Sequence, residues 1–346
     1  MVGILSELVF PFDQVPPPGQ VVQVAPGFLW ARMPLPFKLD HVNVYFIREG
    51  DGWAVFDTGI HDDRTCQHWR ELLDGPFKQQ TITRVIVSHY DPDHIGMAGW
   101  LCDRLGVRLQ TTLSSYLSSH TIALSPWASQ SDAYREFYRS HGMDDTAATI
   151  VGDMGHEYLK MVAPLPATFK RVLSGDMVRI GNHSFVALTA DGHSPEQVML
   201  YCESAKVILV ADQVLAKITP NVSVWGEQPD DNPLEWYLKS LNMLKADIPA
   251  DVLVLPGHRL PFFGLHLRCD QIIDHHRERC NIVHRACMDA PQSVADLISV
   301  LFRPNLDPHQ LSFAFGEALA HVNFMVADGR LRCAIDDRGG RKFFSS

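Results

Sequence analysis

Four side chains of the types that bind metal ions lie within six positions of one another, directly after an apolar stretch. Residues 88–96 read SHYDPDHIG, and residues 85–87, Val-Ile-Val, predict a buried strand that ends there. The ligand types are His89, Asp91, Asp93 and His94. A loop that leaves a strand can aim all four at one point, and imidazole and carboxylate groups are common metal ligands. The alternative is a helix cap, with Asp93 accepting bonds from first-turn N–H groups.

Later segments place further ligand-type residues at the ends of predicted strands. His193 lies in DGHSP, Asp212 ends the segment VILVAD, and His258 ends the segment LPGH. Asp57 begins the short turn DTG after another predicted strand. Because a strand end is fixed by its sheet, such residues can be aimed at a shared point. Together these segments favour a metal site over a helix cap.

The five segments occur in the order and spacing of the metallo-β-lactamase superfamily, which the chain resembles from about residue 20 to residue 264. The resemblance implies an α/β fold, the four-layer αββα sandwich, with two metal ions per chain. Asp57 would orient the ligand loops without binding metal itself. The first metal would be held by His89, Asp91 and His193, the second by Asp93, His94 and His258, and Asp212 would bridge the two.

One position departs from the pattern of the superfamily. The usual metal motif H-x-H-x-D-H is H-x-D-x-D-H here, with Asp91 in place of the second histidine. Carboxylate oxygen is a harder ligand than imidazole nitrogen, so this set suits iron or manganese better than the commoner set does. Zinc accepts both ligand types. We therefore expect two divalent metal ions and leave zinc, iron and manganese open.

The resemblance implies metal-assisted hydrolysis. Two cations lower the pKa of a bridging water, so that a metal-bridging hydroxide can attack an ester-type substrate near neutral pH. One metal would polarise the substrate oxygen while Asp93 takes up the proton. The expected catalytic residues are therefore Asp93, as the proton acceptor, and Asp57, which orients the ligand loops. Proteins of the superfamily that resemble this chain hydrolyse thioesters, lactones or phosphodiesters, so the substrate is left open.

Two other functions remain open. A carboxylate also replaces this histidine in flavodiiron reductases and in a diiron oxygenase subgroup of the fold, so a diiron redox enzyme is the first alternative. Flavodiiron proteins carry a flavodoxin domain after the metal domain, whereas this chain ends in a helical segment without an evident flavin-binding loop. The second alternative is a ligand-binding protein without catalysis, and the intact ligand set argues against it.

The predicted elements divide the chain near residue 264. Residues 1–264 alternate strands and helices, except that 113–168 read as several helices with aromatic residues, a lid over the site or simply a self-packed insertion. Residues 265–346 read as three helices and a terminal hairpin, and resemble the winged-helix appendage of metallo-β-lactamase-like endoribonucleases. Segments within 25–43 and 218–223 resemble a bacterial subgroup of glyoxalase II-like hydrolases.

Composition limits the partners. The net charge of −10 disfavours a general nucleic-acid surface, because such binding needs Lys and Arg to neutralise phosphates, and we expect a small-molecule substrate. The winged-helix-like tail keeps a nuclease as an alternative within hydrolysis.

The sequence contains no run of about 18 apolar residues that would be long enough to cross a bilayer. The N-terminus lacks a secretory pattern and the seven cysteines form no C-x-x-C pair, so we expect a cytoplasmic protein. The C-terminal segment could pair two subunits as a homodimer.

Overall fold

The structure, a computed structural model, describes residues 7–125, 128–152 and 157–346. Residues 1–6 of the N-terminus, and Trp127 and His156 of the insertion, lie outside the described residues. The chain forms two compact units. Unit 1 comprises Met1–Leu124, Tyr158–Pro220 and Met243–Cys269, and unit 2 comprises Ser125–Glu157, Asn221–Asn242 and Asp270–Ser346. The predicted domains, 1–264 and 265–346, stay a prediction.

The first sheet of unit 1 has seven strands that lie side by side in chain order. They are β1 (Val22–Ala25), β2 (Phe28–Pro34), β3 (His41–Glu49), β4 (Gly52–Phe56), β5 (Ile82–Ile86), β6 (Leu109–Thr111) and β7 (Lys170–Arg171). Strands β1 to β4 are antiparallel to their neighbours, whereas β4 to β7 run parallel. Parallel neighbours need crossover connections. The helices between β4 and β6 are α1 (Asp63–Asp74), α2 (Pro92–Ile95) and α3 (Ala98–Leu105).

The second sheet has six strands in the spatial order β13-β12-β11-β10-β9-β8. They are β8 (Met177–Ile180), β9 (His183–Ala190), β10 (Gln197–Cys202), β11 (Val207–Ala211), β12 (Leu253–Pro256) and β13 (Phe262–Phe263). Only β11 and β12 are parallel, and α8 (Pro233–Asp247) lies between them in sequence. The sequence did not predict β13, because two residues are too few to display the alternation of a strand.

The two sheets pack face to face through one apolar core. Phe28 and Phe56 of the first sheet belong to the same buried cluster as Phe185 of the second. A separate cluster lies on the other face of the first sheet, where Trp69 of α1 and Leu101 of α3 are fully buried. The predicted sandwich of two sheets with flanking helices is therefore confirmed.

The insertion and the C-terminal segment have the predicted elements. The described part of 113–168 holds no strand, and its helices are α4 (Leu113–Leu124), α5 (Asp132–Ser140), α6 (Asp145–Gly152) and α7 (Glu157–Lys160), with a short 3-10 turn at Ala128–Gln130. The C-terminal elements are α9 (Leu265–Asp289), α10 (Val294–Leu301), α11 (Pro308–Ala327), β14 (Leu331–Ile335) and β15 (Arg341–Ser345). Their winged-helix class stays a prediction. Within the described ranges, no helix combines the length and apolarity needed to span a membrane.

A buried asparagine of β3 joins the two sheets. The Asn43 N–H donates to Gly257 O at 2.6 Å, and its side-chain Nδ2 donates to Pro256 O at 2.8 Å and Arg259 O at 2.9 Å. Its Oδ1 accepts a bond from Trp30 Nε1 at 2.9 Å. One polar side chain in an apolar core thus fixes the turn after β12, the turn that carries His258.

We predict that Asn43→Leu destabilises the protein by about 2–4 kcal/mol, because it leaves the buried Trp30 Nε1 without its acceptor and the half-buried Arg259 O without its donor. The matched control is Tyr45→Phe, which removes a hydroxyl that donates to Pro256 O at 2.8 Å. Its cost should be only about 0.5–1.5 kcal/mol, since Pro256 O keeps its bond from Asn43. Urea unfolding followed by circular dichroism measures both, and equal losses would contradict the role given to Asn43.

Candidate metal centre

Strand ends from both sheets bring the predicted site residues to one edge of the sandwich. Parallel strands β4 and β5 end at the same edge, and they lead into Asp57 and His89. Strands β9, β11 and β12 run in one direction, because β9 and β11 are both antiparallel to β10, and β12 is parallel to β11. Their ends lead into His193, Asp212 and His258.

One group of side chains surrounds a first position. Asp91 Oδ2 lies 3.5 Å from His89 Nε2 and 3.6 Å from His193 Nε2. Asp212 Oδ2 lies 3.9 Å from His193 Nε2. Two atoms that each bind one ion at about 2.0–2.2 Å lie roughly 3–4 Å apart, so these spacings suit a shared metal ion.

A second group lies beside the first and shares Asp212 with it. Asp93 Oδ2 is 3.2 Å from His258 Nε2 and 3.6 Å from His94 Nε2. Asp212 reaches the same two histidines, with Oδ2 3.1 Å from His258 Nε2 and Oδ1 3.4 Å from His94 Nε2. The carboxylate of Asp212 therefore lies at both positions, as expected of a bridging ligand.

Hydrogen bonds behind the ligands fix which histidine nitrogen carries the proton. Asp57 Oδ2 lies 2.8 Å from His94 Nδ1, and a carboxylate accepts there only if Nδ1 is protonated. Ser88 Oγ donates to Asp57 Oδ2 at 2.9 Å, so it accepts from His89 Nδ1, 2.8 Å away. Both imidazoles therefore present an unprotonated Nε2 to the centre when neutral.

His258 is held in the same way by the first sheet. Its Nδ1 lies 2.8 Å from the carbonyl oxygen of His41, which can only accept a hydrogen bond. The Nε2 atoms of His89 and His94 are buried and have no hydrogen-bond partner among the described residues. Buried polar atoms without partners are costly, and converging lone pairs beside carboxylates are the donor set of a divalent metal ion. The residues present therefore fit two such ions.

The charges of the centre shift the pKa values of its members strongly. Burial works against protonated imidazole, yet the surrounding carboxylates raise the pKa of His94 well above its usual range and that of His258 to about 10. Burial also works against ionised carboxyl groups, yet the imidazoles lower the pKa of Asp93 to about 2 and hold that of Asp212 well below its usual range. Such perturbed clusters are typical of functional sites. Because protons and cations compete for the same lone pairs, metal binding here would release protons.

The backbone around the centre is unusually constrained. Asp57, Ala211 and Arg259 adopt left-handed φ values of 64°, 45° and 66°, and each lies at or next to a site residue. A Cβ added to Gly257 would lie 2.2 Å from Asp212 Oδ1, so only glycine lets this carboxylate approach. Strain of this kind persists where the surrounding structure fixes it, and it is often found at active sites.

The structure brings together all seven predicted ligands and places Asp57 behind them. Metal binding by these seven, and the catalytic roles of Asp93 and Asp57, stay predictions. The sequence analysis missed residues that support the ligands from behind, namely Ser88, His41, Asn43 and Gly257. Ser88 could have been found from its position next to His89. His41 and Asn43 were seen only as part of a resembling segment.

Family comparisons agree with this geometry. The profile of the metallo-beta-lactamase superfamily matches residues 38–258. The profile of the metallo-beta-lactamase-like C-terminal domain matches residues 280–346.

Two solved structures resemble the whole chain. One is a beta-lactamase domain protein from Burkholderia ambifaria, with 36% identity, a TM-score of 0.90 and 98% of each chain covered. The other is a metallo-beta-lactamase family protein from Thermus thermophilus, with 23% identity, a TM-score of 0.78, and 94% of this chain and 100% of that chain covered.

Two curated relatives are similar in sequence. The probable metallo-hydrolase YqjP of Bacillus subtilis strain 168 is 23% identical over 302 residues, which cover 86% of this chain and 91% of that protein. The linear primary-alkylsulfatase of Pseudomonas sp. strain ATCC 19151 is 22% identical over 276 residues, covering 77% of this chain and 48% of that protein.

We predict that Asp57→Asn weakens metal binding roughly 10–100-fold without unfolding the protein, at the second position through His94 and at the first through Ser88 and His89. In the wild type the Ser88 N–H donates to Asp57 Oδ1 at 2.8 Å. The amide oxygen of the variant would keep this bond, so the amide NH2 would face His94 Nδ1. That imidazole would then carry its proton on Nε2, where the metal belongs. Metal titration against a chromophoric chelator measures the affinity.

The control is Asp62→Asn, which changes a carboxylate that caps α1 by accepting from Thr65 N at 2.7 Å. Asparagine caps helices as well as aspartate does, so stability and metal affinity should both be retained. The account of Asp57 is wrong if its variant binds both ions as tightly as the Asp62 variant does.

Proposed function

The chain belongs to the metallo-β-lactamase superfamily, and on that premise we propose that it is a hydrolase that uses two divalent metal ions to cleave a small ester-type substrate. The observation that carries the proposal is the sharing of Asp212 by two complete groups of ligands. A curated relative along most of the chain is described as a probable metallo-hydrolase, which supports the same class of reaction.

Two bound ions would lower the pKa of a coordinated water and polarise the substrate oxygen under attack. The protein's own residues hold the ions and manage the protons. Asp212 fixes the spacing of the two positions, because its oxygens reach histidines of both groups. Asp93 would accept a proton during the reaction through the carboxylate oxygen that does not face His94 and His258, because its side chain is partly exposed. Asp57 and Ser88 keep the histidines in the tautomer that binds metal.

The ligand set favours a hard metal at the first position. Asp91 contributes a carboxylate where the superfamily motif has an imidazole, and its side chain is the most exposed of the three aspartates, at 36%. We propose iron or manganese there, with zinc as the competing ion, because carboxylate oxygen favours harder cations.

The substrate class is proposed from the chemistry that such a centre can perform. Thioesters, lactones and phosphodiesters all present an oxygen that a metal ion can polarise. The similarity to a linear primary-alkylsulfatase adds alkyl sulfates to this group. The net charge of −10 favours a small molecule over a nucleic acid.

The experiment is an activity panel on metal-free protein reloaded separately with zinc, manganese(II) and iron(II). The panel contains a thioester, a lactone, a phosphodiester and a primary alkyl sulfate, and Asp212→Ala protein is the blank. Hydrolysis of at least one substrate that depends on the added metal supports the proposal. Metal-independent activity, or none with any ion, contradicts it.

A diiron redox enzyme is the second candidate, favoured by the carboxylate of Asp91. Iron-loaded protein supplied with a reductant would then consume dioxygen catalytically. If it does so and hydrolyses none of the panel, the redox function replaces the hydrolase.

We predict that Asp212→Ala weakens both metal positions and lowers the metal-dependent activity by more than the roughly 10–100-fold typical of residues that only orient a ligand. The reason is that one carboxylate serves both groups. Metal content and turnover are compared with Asp103→Ala, which removes an exposed aspartate of α3. Loss of a single ion, with the other bound as in wild type, would show that Asp212 is not shared.

We predict that Asp91→His shifts metal preference toward zinc while hydrolysis remains measurable. The substitution removes one negative charge and restores the softer imidazole of the common motif. Metal-free protein is offered equimolar zinc, manganese(II) and iron(II) under nitrogen, and the bound metals are counted by elemental analysis. If wild type selects zinc as strongly as the variant, ligand hardness at this position does not decide the metal.

A further inference from the structure

A short segment of the insertion, residues 158–166, lies against the segment of unit 1 that carries the first ligands. We call residues 158–166 the strap and residues 88–94 the ligand loop. The strap is attached by backbone bonds, with Ala163 N donating to Gly96 O at 2.8 Å and His61 N donating to Met161 O at 2.7 Å. The approach is close, because a Cβ on Gly96 would lie 2.5 Å from Met161 O and one on Gly99 would lie 2.0 Å from Pro164 O. The strap therefore lies directly against the segment that begins with the metal ligands.

Tyr158 begins the strap and contacts the ligand loop between two ligands. Its hydroxyl donates to Tyr90 O at 2.7 Å, and it is also hydrogen-bonded to Ser119 of α4. Burial raises the pKa of Tyr158, and the nearby carboxylate of Asp91 raises it further, so the phenol keeps its proton and remains a donor. The ring of Tyr158 also lies 6.4 Å, centroid to centroid, from that of Tyr90.

The carbonyl of Tyr90 decides the direction of Asp91. A peptide unit is planar, so rotating this carbonyl changes ψ of residue 90 and φ of residue 91 together. Carbonyls before and after it are fixed by the main chain, since Ser88 O accepts from Val198 N at 2.8 Å and Asp91 O accepts from His94 N at 2.9 Å. The bond from Tyr158 fixes the carbonyl of Tyr90, and with it the peptide that joins Tyr90 to Asp91.

We propose that Tyr158 is a positioning residue for the first metal position: its hydroxyl fixes the peptide between Tyr90 and Asp91, so that the Asp91 carboxylate faces the same ion as His89. This inference rests on the proposed two-metal function. It gives the insertion a specific task, which is to set the affinity of the first position relative to the second. The second position does not depend on this peptide, because His94 and His258 are held by Asp57 and by the carbonyl of His41.

The test compares Tyr158→Phe with Tyr116→Phe. Tyr116 is a matched control, because its hydroxyl also donates to a strap carbonyl, Pro166 O at 2.8 Å, while its ring stacks on Phe169. Metal-free proteins are titrated with zinc against a chromophoric chelator, and the two dissociation constants are extracted. We expect Tyr158→Phe to weaken one constant about tenfold and to leave the other unchanged, while Tyr116→Phe changes neither. Melting temperatures of the two metal-free variants should fall equally.

A double variant identifies which position has changed. In an Asp91→Ala background, adding Tyr158→Phe should weaken zinc binding no further, since the two residues act on the same ligand. The proposal is overturned if Tyr158→Phe weakens both positions equally, if it matches Tyr116→Phe, or if its effect adds fully to that of Asp91→Ala. Fewer than two bound ions in wild type with each of zinc, manganese(II) and iron(II) would overturn the proposed function and this inference together. Two ions in wild type with an unaffected Tyr158→Phe would overturn the inference alone.

Discussion

The buried carboxylate of Asp57 is the contact on which the geometry of the whole centre depends. It accepts from His94 Nδ1 directly and, through the hydroxyl of Ser88, orients His89. One histidine of each metal position is thus set by a single side chain that binds no metal. Asp57 adopts a left-handed φ of 64° and is 1% exposed, so its burial and strain must be offset by the bonds that it accepts. Its place at the end of β4, parallel and adjacent to β5, is what brings it within reach of the ligand loop.

The centre combines a rigid scaffold with unbalanced charge. The sheets are joined at the site by hydrogen bonds from Asn43 to the turn after β12, and glycine at position 257 lets Asp212 approach closely. Three aspartates converge on four histidines in a largely buried space, and protons on His94 and His258 balance part of that charge. Two divalent cations would balance it more fully and satisfy the histidine nitrogens that lack partners. This requirement explains why a stable sandwich would keep such a costly group of side chains at its edge.

Much of this could be predicted from sequence, because the strands that deliver the ligands are apolar and end at recognisable motifs. The ligand residues His89, His193, Asp212 and His258 each follow such a strand, so their convergence needed only the sheet order. The supporting contacts could not be predicted, because they join residues far apart in the chain. His41 and His258 are linked through a backbone carbonyl, and any residue can supply a carbonyl. Tyr158 lies in a helical insertion whose pattern predicts helices but not which of its side chains meets the ligand loop. The ligands can therefore be predicted from their residue types, whereas the hydrogen bonds that orient them can be seen only in the folded structure.

The central claim is that seven side chains form two metal positions that share Asp212, and a crystal structure of metal-loaded protein tests it most directly. Diffraction data collected at the absorption edge of the bound metal would locate each ion by its anomalous signal. The account predicts two peaks, one among His89, Asp91 and His193 and one among Asp93, His94 and His258, with an oxygen of Asp212 close to both. A single peak, or two peaks of which one lies away from Asp212, would contradict it.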